Sequence, residues 1–451
     1  MTTLVLLILL TASFPVTLRA AAANSAKPTT GYFSPRMLIR VRSSPVVYLL
    51  GYVSCQRVTC LRLLRTNDNG TSFIKVTPPP TTAIKGSIVG SLEQMVFANA
   101  EDGYALEGGS GGNVLYATFN GARTWKKETE PKGTALSSLA VTSNMLYGVT
   151  SHCAKQRNGN EGCTNYQLNR ASLSAKHWTS SAIPNGRSYP WGFLGNVAAY
   201  GSKVWLTEGA KWSLLVSSHN DGTTFTTYTP AFPALVSVAG CDLTATSSMT
   251  LWSACPTGME VSFYFSDNAG MTWTEVPTKQ FMGTGGGYFD PVSATLAYLD
   301  YGGPLPLYRV SNSGHDMTEL GMLRCSSVNS SVGSLVFTSE RSGLAICTPE
   351  GNWSSSRLER TTNGGATWNR ISLNQAEESS ESQPLRDFLI ATNSSLSAVH
   401  SNQSGHERFT YRGPLKIHYG KHRAVAQQFR FTGHLRGLPL AEHPLKRRTD
   451  T

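Results

Sequence analysis

Ser266-Asp267-Asn268-Ala269-Gly270-Met271-Thr272-Trp273 is one copy of a phrase that returns along the whole chain. Its pattern is Ser/Thr-x-Asp/Asn-x-Gly-x-Thr/Ser-aromatic. It recurs as Thr66-Asn67-Asp68-Asn69-Gly70-Thr71-Ser72-Phe73 and as Ser218-His219-Asn220-Asp221-Gly222-Thr223-Thr224-Phe225. A further copy is Thr361-Thr362-Asn363-Gly364-Gly365-Ala366-Thr367-Trp368, and Thr118 to Trp125, with Asn120, lacks only the central Gly. Two intervals between copies are double length, and each contains a worn copy, Ala171 to Trp178 and Ser311 to Thr318. Seven units in six steps from 66 to 361 give a period of about 49 residues, the length of four short strands with their turns. The sequence therefore predicts an all-β chain, a single seven-bladed β-propeller.

Strand-like runs flank the phrase: Val261 to Phe265 leads in and Trp273 to Val276 leads out. It reads as a hairpin turn, with Asp or Asn capping the backbone, Gly supplying positive φ, and the aromatic burying its ring. Asp68, Gly70, Asn120, Trp125, Asn220, Gly222, Asn268, Gly270, Trp273, Asn363, Gly365 and Trp368 are structural residues on this reading. A second phrase, Met95 to Ala105, is echoed by Leu335 to Ala345 and predicts an inner hairpin.

The repeated phrase resembles the Asp-box, or BNR, repeat of sialidase-like β-propellers, over about residues 37–400. That superfamily includes sialidases, xyloglucan-cleaving glycosidases, sortilin-type receptor ectodomains and photosystem assembly factors. The resemblance implies boxes on the blade periphery, away from the ligand face, so Asp68 is no catalytic carboxylate. The layout is closest to the single-domain, seven-bladed assembly-factor branch. Sialidases carry an early Phe/Tyr-Arg-Ile-Pro phrase, where this chain reads Phe33-Ser34-Pro35-Arg36, and they have six blades. The xyloglucanases use two propellers, and this chain has room for one.

Composition agrees with a turn-rich β protein: 42 Gly in 451 residues and only 15% charged residues. The N-terminus is apolar from Leu4 to Leu18, then reads Arg19-Ala20-Ala21-Ala22-Ala23, which predicts a signal peptide over 1–23. No Lys or Arg precedes the apolar run, which leaves an uncleaved anchor or a misplaced start as alternatives. A polar lead is expected over 24–36, the propeller over 37–404, and a basic tail over 405–451. That tail carries ten Lys/Arg and three Asp/Glu, so most of the chain's net charge of +11 lies there. It reads as a solvated tail or as an adhesion segment for an anionic surface. Strand material at Phe388–Thr392 and Leu396–Val399 is expected to pair with the first blade and close the ring.

Eight cysteines fall into sequential couples, Cys55/Cys60, Cys153/Cys163, Cys241/Cys255 and Cys325/Cys347, each within one unit. Disulfides within blades are expected and fit an exported, extracytoplasmic protein, with cell-surface association as an option. Free buried thiols are the alternative. Sequons stand at Asn69, Asn329, Asn352, Asn393 and Asn402, and Asn69 reads as a turn residue.

Two loops carry the candidate ligand residues. Gly186 to Phe193 contributes Arg187, Tyr189 and Trp191, and Gly283 to Pro291 contributes Tyr288 and Asp290. Rings beside polar groups suit a sugar or a peptide, although such rings also pack blade junctions. Glu93, Glu101, Asp102, Glu208 and Asp300 are acids that could face the channel. No catalytic residue is assigned. Neither cofactor nor metal is expected, because phosphate-loop and zinc-ligand spacings are missing, and nucleic acid is not an expected partner. The reading is a secreted, monomeric binding or assembly propeller for a protein segment or glycan; the alternative is a sialidase-like glycoside hydrolase.

Overall fold

The computed structural model describes residues 33–42, 44–55, 58–80, 91–108, 113–131, 136–155, 161–184, 196–207, 215–228, 241–256, 261–277, 288–300, 306–321, 323, 330–349 and 355–373, together with strands 396–399, 408–411 and 416–418. Seven four-stranded antiparallel meanders follow one another along the chain. They are blades 1 to 7, at 33–76, 91–127, 136–182, 197–228, 242–275, 288–321 and 330–371. The first strand of blade 1, Phe33–Arg40, touches the first strands of both blade 2 and blade 7, so the ring is a seven-bladed β-propeller. First strands line the central channel and fourth strands form the rim. Because each blade is a meander, its turns sort onto two faces. The lower face carries the turns between strands one and two and between three and four. The upper face carries the loops between strands two and three and the connections between blades.

A blade is buried on both sides, which explains near-continuous apolar runs such as Val47-Tyr48-Leu49-Leu50. Alternate residues of that strand serve different neighbours: Val47 and Leu49 pack with blade 7, and Tyr48 and Leu50 with blade 2.

All seven copies of the repeated phrase, the worn ones included, fall at the turn between third and fourth strands. The five full copies share one chemistry. The leading hydroxyl accepts the amide four residues on, at 2.9 Å in Thr66–Gly70 and 2.8 Å in Ser218–Gly222. The Asp or Asn oxygen accepts the amide of the seventh residue, at 2.9 Å for Ser72, Thr224, Thr272 and Thr367. With Asn, the amide group then donates to that residue's hydroxyl, as Asn268 does to Thr272. With Asp68 the direction reverses, and the Ser72 hydroxyl donates to the carboxylate. In the five full copies positions four and five hold positive φ, for example 61° at Ala269 and 89° at Gly270. Those angles place position five in the preceding blade: a Cβ on Gly270 would meet the Leu215 methyl, one on Gly222 that of Leu168, and one on Gly70 that of Leu344. Blades 2 and 3 carry Ala122 and Ala175 there, both fully buried at positive φ. The turn is thus a wedge between blades.

A second series runs around the ring. An aromatic near the start of the second strand donates its polar tip to the next blade. Tyr48 bonds the Ala100 carbonyl, Tyr104 the Leu173 carbonyl, and Tyr147 the Asp221 carboxylate. Trp205 bonds the Ala269 carbonyl, Trp252 that of Ser293, and Tyr298 that of Glu340. Blade 7 has Leu344 at this position, packed on Gly70 of blade 1. Each large ring removed from water contributes about 1.5–3 kcal/mol, and its tip fixes the tilt of one blade on the next.

Three expectations need revision. The first blade begins at Phe33, inside the segment read as a polar lead. Leu396–Val399 does not pair with blade 1; it pairs with Arg408–Tyr411 in a separate three-stranded sheet that includes Lys416–His418. The ring closes through side chains instead, because blade 1 already owns four strands. Thr338 bonds Asn69, Ser334 accepts the Leu38 amide, and a shared cluster joins Val336, Leu344 and Ile346 to Val47 and Leu49. Finally, strands occur within the expected tail. The segments 1–23 and 388–392 lie outside the described residues.

Cys241 and Cys255 form a disulfide within blade 5. Cys60 and Cys347 are also disulfide-bonded. Cys153 and Cys163 are register partners on adjacent strands. Among the described residues no helix is long and apolar enough to cross a membrane.

Candidate functional site

The first strands expose unpaired backbone groups toward the channel, and each such group needs a partner. Side chains from the preceding blade supply it. The Leu38 amide donates to Ser334, the Leu139 amide to Gln94 at 2.7 Å, and the Val197 amide to Ser138. The Phe337 amide donates to the Asp290 carboxylate.

The lower mouth holds two arginines from blade 1. Arg40 donates from Nη1 to the Phe337 carbonyl and from Nη2 to the Pro291 carbonyl, both at 2.7 Å. Its guanidinium also pairs with Asp290, Nη2 to Oδ1 at 3.2 Å. One side chain thereby ties blade 1 to blades 6 and 7. Burial pulls the Asp290 carboxyl up, and the Arg40 charge and the Phe337 amide pull it back. Arg42 reaches to the far side of the ring. Its Nη1 donates to the Ala199 carbonyl of blade 4 at 2.9 Å, and its guanidinium lies 5.7 Å from the Tyr200 ring centre. Neighbouring protein crowds it, although it is exposed to solvent. Burial lowers its pKa to about 10, and the Arg40 charge adds to this while Tyr200 opposes it. It remains a cation at neutral pH.

At the upper ends of the inner strands, Arg36 lies 5.0 Å from the Tyr52 ring centre. Burial lowers the Arg36 pKa, opposed by Tyr52, and raises that of Tyr52 to about 12, opposed by Arg36. In blade 2 the Tyr116 hydroxyl donates to the buried Glu107 at 3.3 Å. Burial first and Glu107 second raise the Tyr116 pKa to about 12. Asn113 bonds Glu93 and the Leu136 carbonyl, so Glu93 is held at the junction with blade 3.

Of the residues singled out in the sequence, Arg187, Tyr189, Trp191 and Glu208 lie outside the described residues. Tyr288 opens the inner strand of blade 6, half-buried against the blade 6–7 cluster. Its pKa is raised by burial and then by Asp300, its register partner. Asp290 lies three-quarters of the way down that strand, buried and engaged with Arg40, so the structure separates its role from that of Tyr288. Glu101 and Asp102 stand in the first lower turn of blade 2, where Asn99 donates to Asp102 at 2.8 Å. Asp300 ends the second strand of blade 6 and is buried. His152, His177, His219 and His315 are exposed and dispersed.

Sequence reasoning missed Arg40 and Arg42. The signal was available: two cations two residues apart at the end of an apolar inner strand share one face.

No known family pattern matches the sequence, and no curated protein matches it. Solved structures do match in fold. The GH74 xyloglucanase from Xanthomonas campestris aligns at 18% identity and a TM-score of 0.46, over 65% of this chain and 46% of that one. The chain thus spans about half the length of that enzyme. YCF48 bound to D1 peptide aligns at 14% identity and a TM-score of 0.42, over 74% and 94%. The β-propeller domain of the trilobed protease from Pyrococcus furiosus aligns at 9% identity and a TM-score of 0.47, over 76% and 97%. These likenesses concern the fold alone.

Proposed function

We propose that the chain is an exported, non-catalytic binding or assembly propeller of the Asp-box type that holds a protein segment or glycan on its upper face. The observation that carries this reading is the asymmetry of the turns. On the lower face the first turns are short, such as 142–144, 201–202 and 98–101. They are capped by side chains, as where Asn99 accepts the Glu101 amide at 2.8 Å. On the upper face the connections 77–90, 183–196, 229–241 and 276–287 are long. Variable length on a rigid scaffold is how propellers and other repeat folds present a binding surface. Arg187, Tyr189 and Trp191 belong to one of these connections, and Tyr288 follows another. Asp290 acts indirectly, by fixing Arg40.

The described acids serve structure: Asp290 of the blade 6 inner strand with Arg40, and Asp102 and Glu107 of the second strand of blade 2 with Asn99 and Tyr116. That use supports binding over hydrolysis. Disulfide bonding supports export, and the Cys55–Cys60, Cys153–Cys163 and Cys325–Cys347 pairings complete the proposed set.

The test is hydrolysis of a fluorogenic glycoside panel, sialosides included, by purified protein with its disulfides intact. No turnover is expected. Turnover abolished by Tyr288→Phe, or by replacing an upper-face carboxylate, would establish the sialidase-like alternative.

A further inference from the structure

The lower mouth beside blades 4 and 5 is a surface that the upper-face reading does not use. Arg42 has no carboxylate partner among the described residues; its contacts are a neutral carbonyl and the face of Tyr200. Lys203 is the register partner of Tyr200, and its ammonium donates to the Met249 sulfur at 3.5 Å. Between Tyr200 and Lys203 the chain turns at Gly201, φ 58°, where an added Cβ would meet nothing within 4 Å. The surface there is open.

It is also apolar. Five large hydrophobic side chains are exposed among the described residues, and three are here: Tyr200 at 36%, Met249 at 42% and Met271 at 51%. Met249 and Met271 sit on adjoining turns, joined by the Ala269 amide donating to the Met249 carbonyl at 2.7 Å. No acid forms an ion pair with either cation among the described residues. Asp221, whose amide bonds the Ser202 carbonyl, accepts the Tyr147 hydroxyl and keeps its charge, and Asp267 shares the turn that carries Met271. Asp290 is bound by Arg40.

We propose that this lower mouth is a second binding site, which docks an acidic segment of a partner protein by pairing one of its carboxylates with Arg42. Arg42 is exposed and has no carboxylate partner among the described residues, so its guanidinium can form a charge-assisted pair with an incoming carboxylate. The Tyr200 ring, 5.7 Å away, and the Ala199 carbonyl restrain the guanidinium before the ligand arrives. Lys203 offers a second cation at the rim, and Met249 and Met271 supply adaptable apolar contact for the residues between acids. The alternation of cation and apolar contact selects an extended acidic segment with apolar residues interspersed.

The probe is a fluorescein-labelled hexapeptide alternating Glu and Leu, with a Lys/Leu peptide as control, followed by fluorescence anisotropy on the full chain. The acidic peptide should bind saturably and the basic one should not. Arg42→Gln keeps a donor for the Ala199 carbonyl and should weaken binding about tenfold, the loss of one charge-assisted pair. Lys203→Glu changes only the partly exposed rim, leaves the fold intact and should also weaken binding, by several-fold. Trp191→Ala, within the 183–196 connection assigned to the site proposed above, should leave it unchanged, which separates the two sites. The inference is overturned if the acidic peptide does not bind, if both peptides bind alike, or if the Lys203→Glu protein binds as the parent does.

Discussion

Gly270→Ala is the sharpest probe of the wedge between blades. The position has φ 89°, where a Cβ meets the following carbonyl and costs about 1–2 kcal/mol. The new methyl also meets the Leu215 side chain of blade 4 and comes within 3.1 Å of the Leu251 side chain. Leu215 is fully buried, so its methyl moves only by displacing neighbours, an overpacking cost of about 1–3 kcal/mol. Because the clash is with the end of a flexible side chain, the low part of that range applies, and the total is about 2–3 kcal/mol. Blade 2 provides the reverse change. Ala122 already sits at φ 64°, fully buried, in the same position of its own turn. Ala122→Gly relieves the backbone strain and gives up one buried methyl worth about 0.8 kcal/mol, so it should be nearly neutral. Urea unfolding followed by tryptophan fluorescence, with disulfides intact, measures both. A Gly270→Ala loss below about 0.5 kcal/mol, or an Ala122→Gly loss as large as that of Gly270→Ala, would refute the wedge.

Two further predictions concern titration. Burial raises the Asp68 carboxyl pKa, but hydrogen bonds from the Ser72 side chain and amide, Thr66 and Thr71 outweigh it and hold it below its usual value. A depressed carboxylate contributes stability above the unfolded pKa of about 4 and loses it as pH falls through the folded value. Asp68→Asn gives this turn the pattern of Asn220, Asn268 and Asn363. It should unfold at the same urea concentration as the parent at neutral pH and show less acid sensitivity; an equal loss at low pH would count against the reasoning. Burial raises Tyr48 and Tyr298 to about 12 and pushes Tyr104 and Tyr147 up as well, with Asp221 adding to the rise in Tyr147. Their folded pKa exceeds the unfolded value of about 10, so stability is complete below that pH and declines above it. Phenolate absorbance at alkaline pH should therefore include a late step coincident with loss of β-sheet circular dichroism. Titration of every tyrosine near pH 10 with the fold intact would contradict the buried ring of hydroxyls.

The seven-unit period was legible because the repeated turn makes demands that few residues meet. Two consecutive positive-φ positions, a hydroxyl that accepts a backbone amide and an Asx oxygen that caps the turn leave little freedom, so the phrase survives even where blade 6 reads Ser311-Asn312-Ser313-Gly314. The aromatic series was not legible. Tyr48, Tyr104, Tyr147, Trp205, Trp252 and Tyr298 are uneven in spacing and mixed in type, because a ring and a polar tip are all that the contact needs. The pairing of Asp290 with Arg40 was not legible for a different reason. The loop context of Asp290 suggests a ligand, and only the fold brings Arg40, 250 positions earlier, against it. Closure was misjudged because the rule that edges pair was applied to strands; here the exposed inner edges are satisfied one group at a time by side chains such as Ser334 and Gln94.

The seam between blades 7 and 1 bears on how the chain reaches this structure. Leu38 and Ser334, which meet there, are 296 positions apart. Bringing such distant segments together costs about 5 kcal/mol of chain entropy, and no hydrogen-bonded strand is shared to offset it. Six of the seven junctions form between neighbours in sequence, while the seventh must wait until the last blade has been made. During synthesis the growing arc exposes two raw apolar faces, Val47 and Leu49 at one end and the newest blade at the other. Completion of the circle hides both at once, so the final docking step converts a sticky intermediate into a molecule without ends.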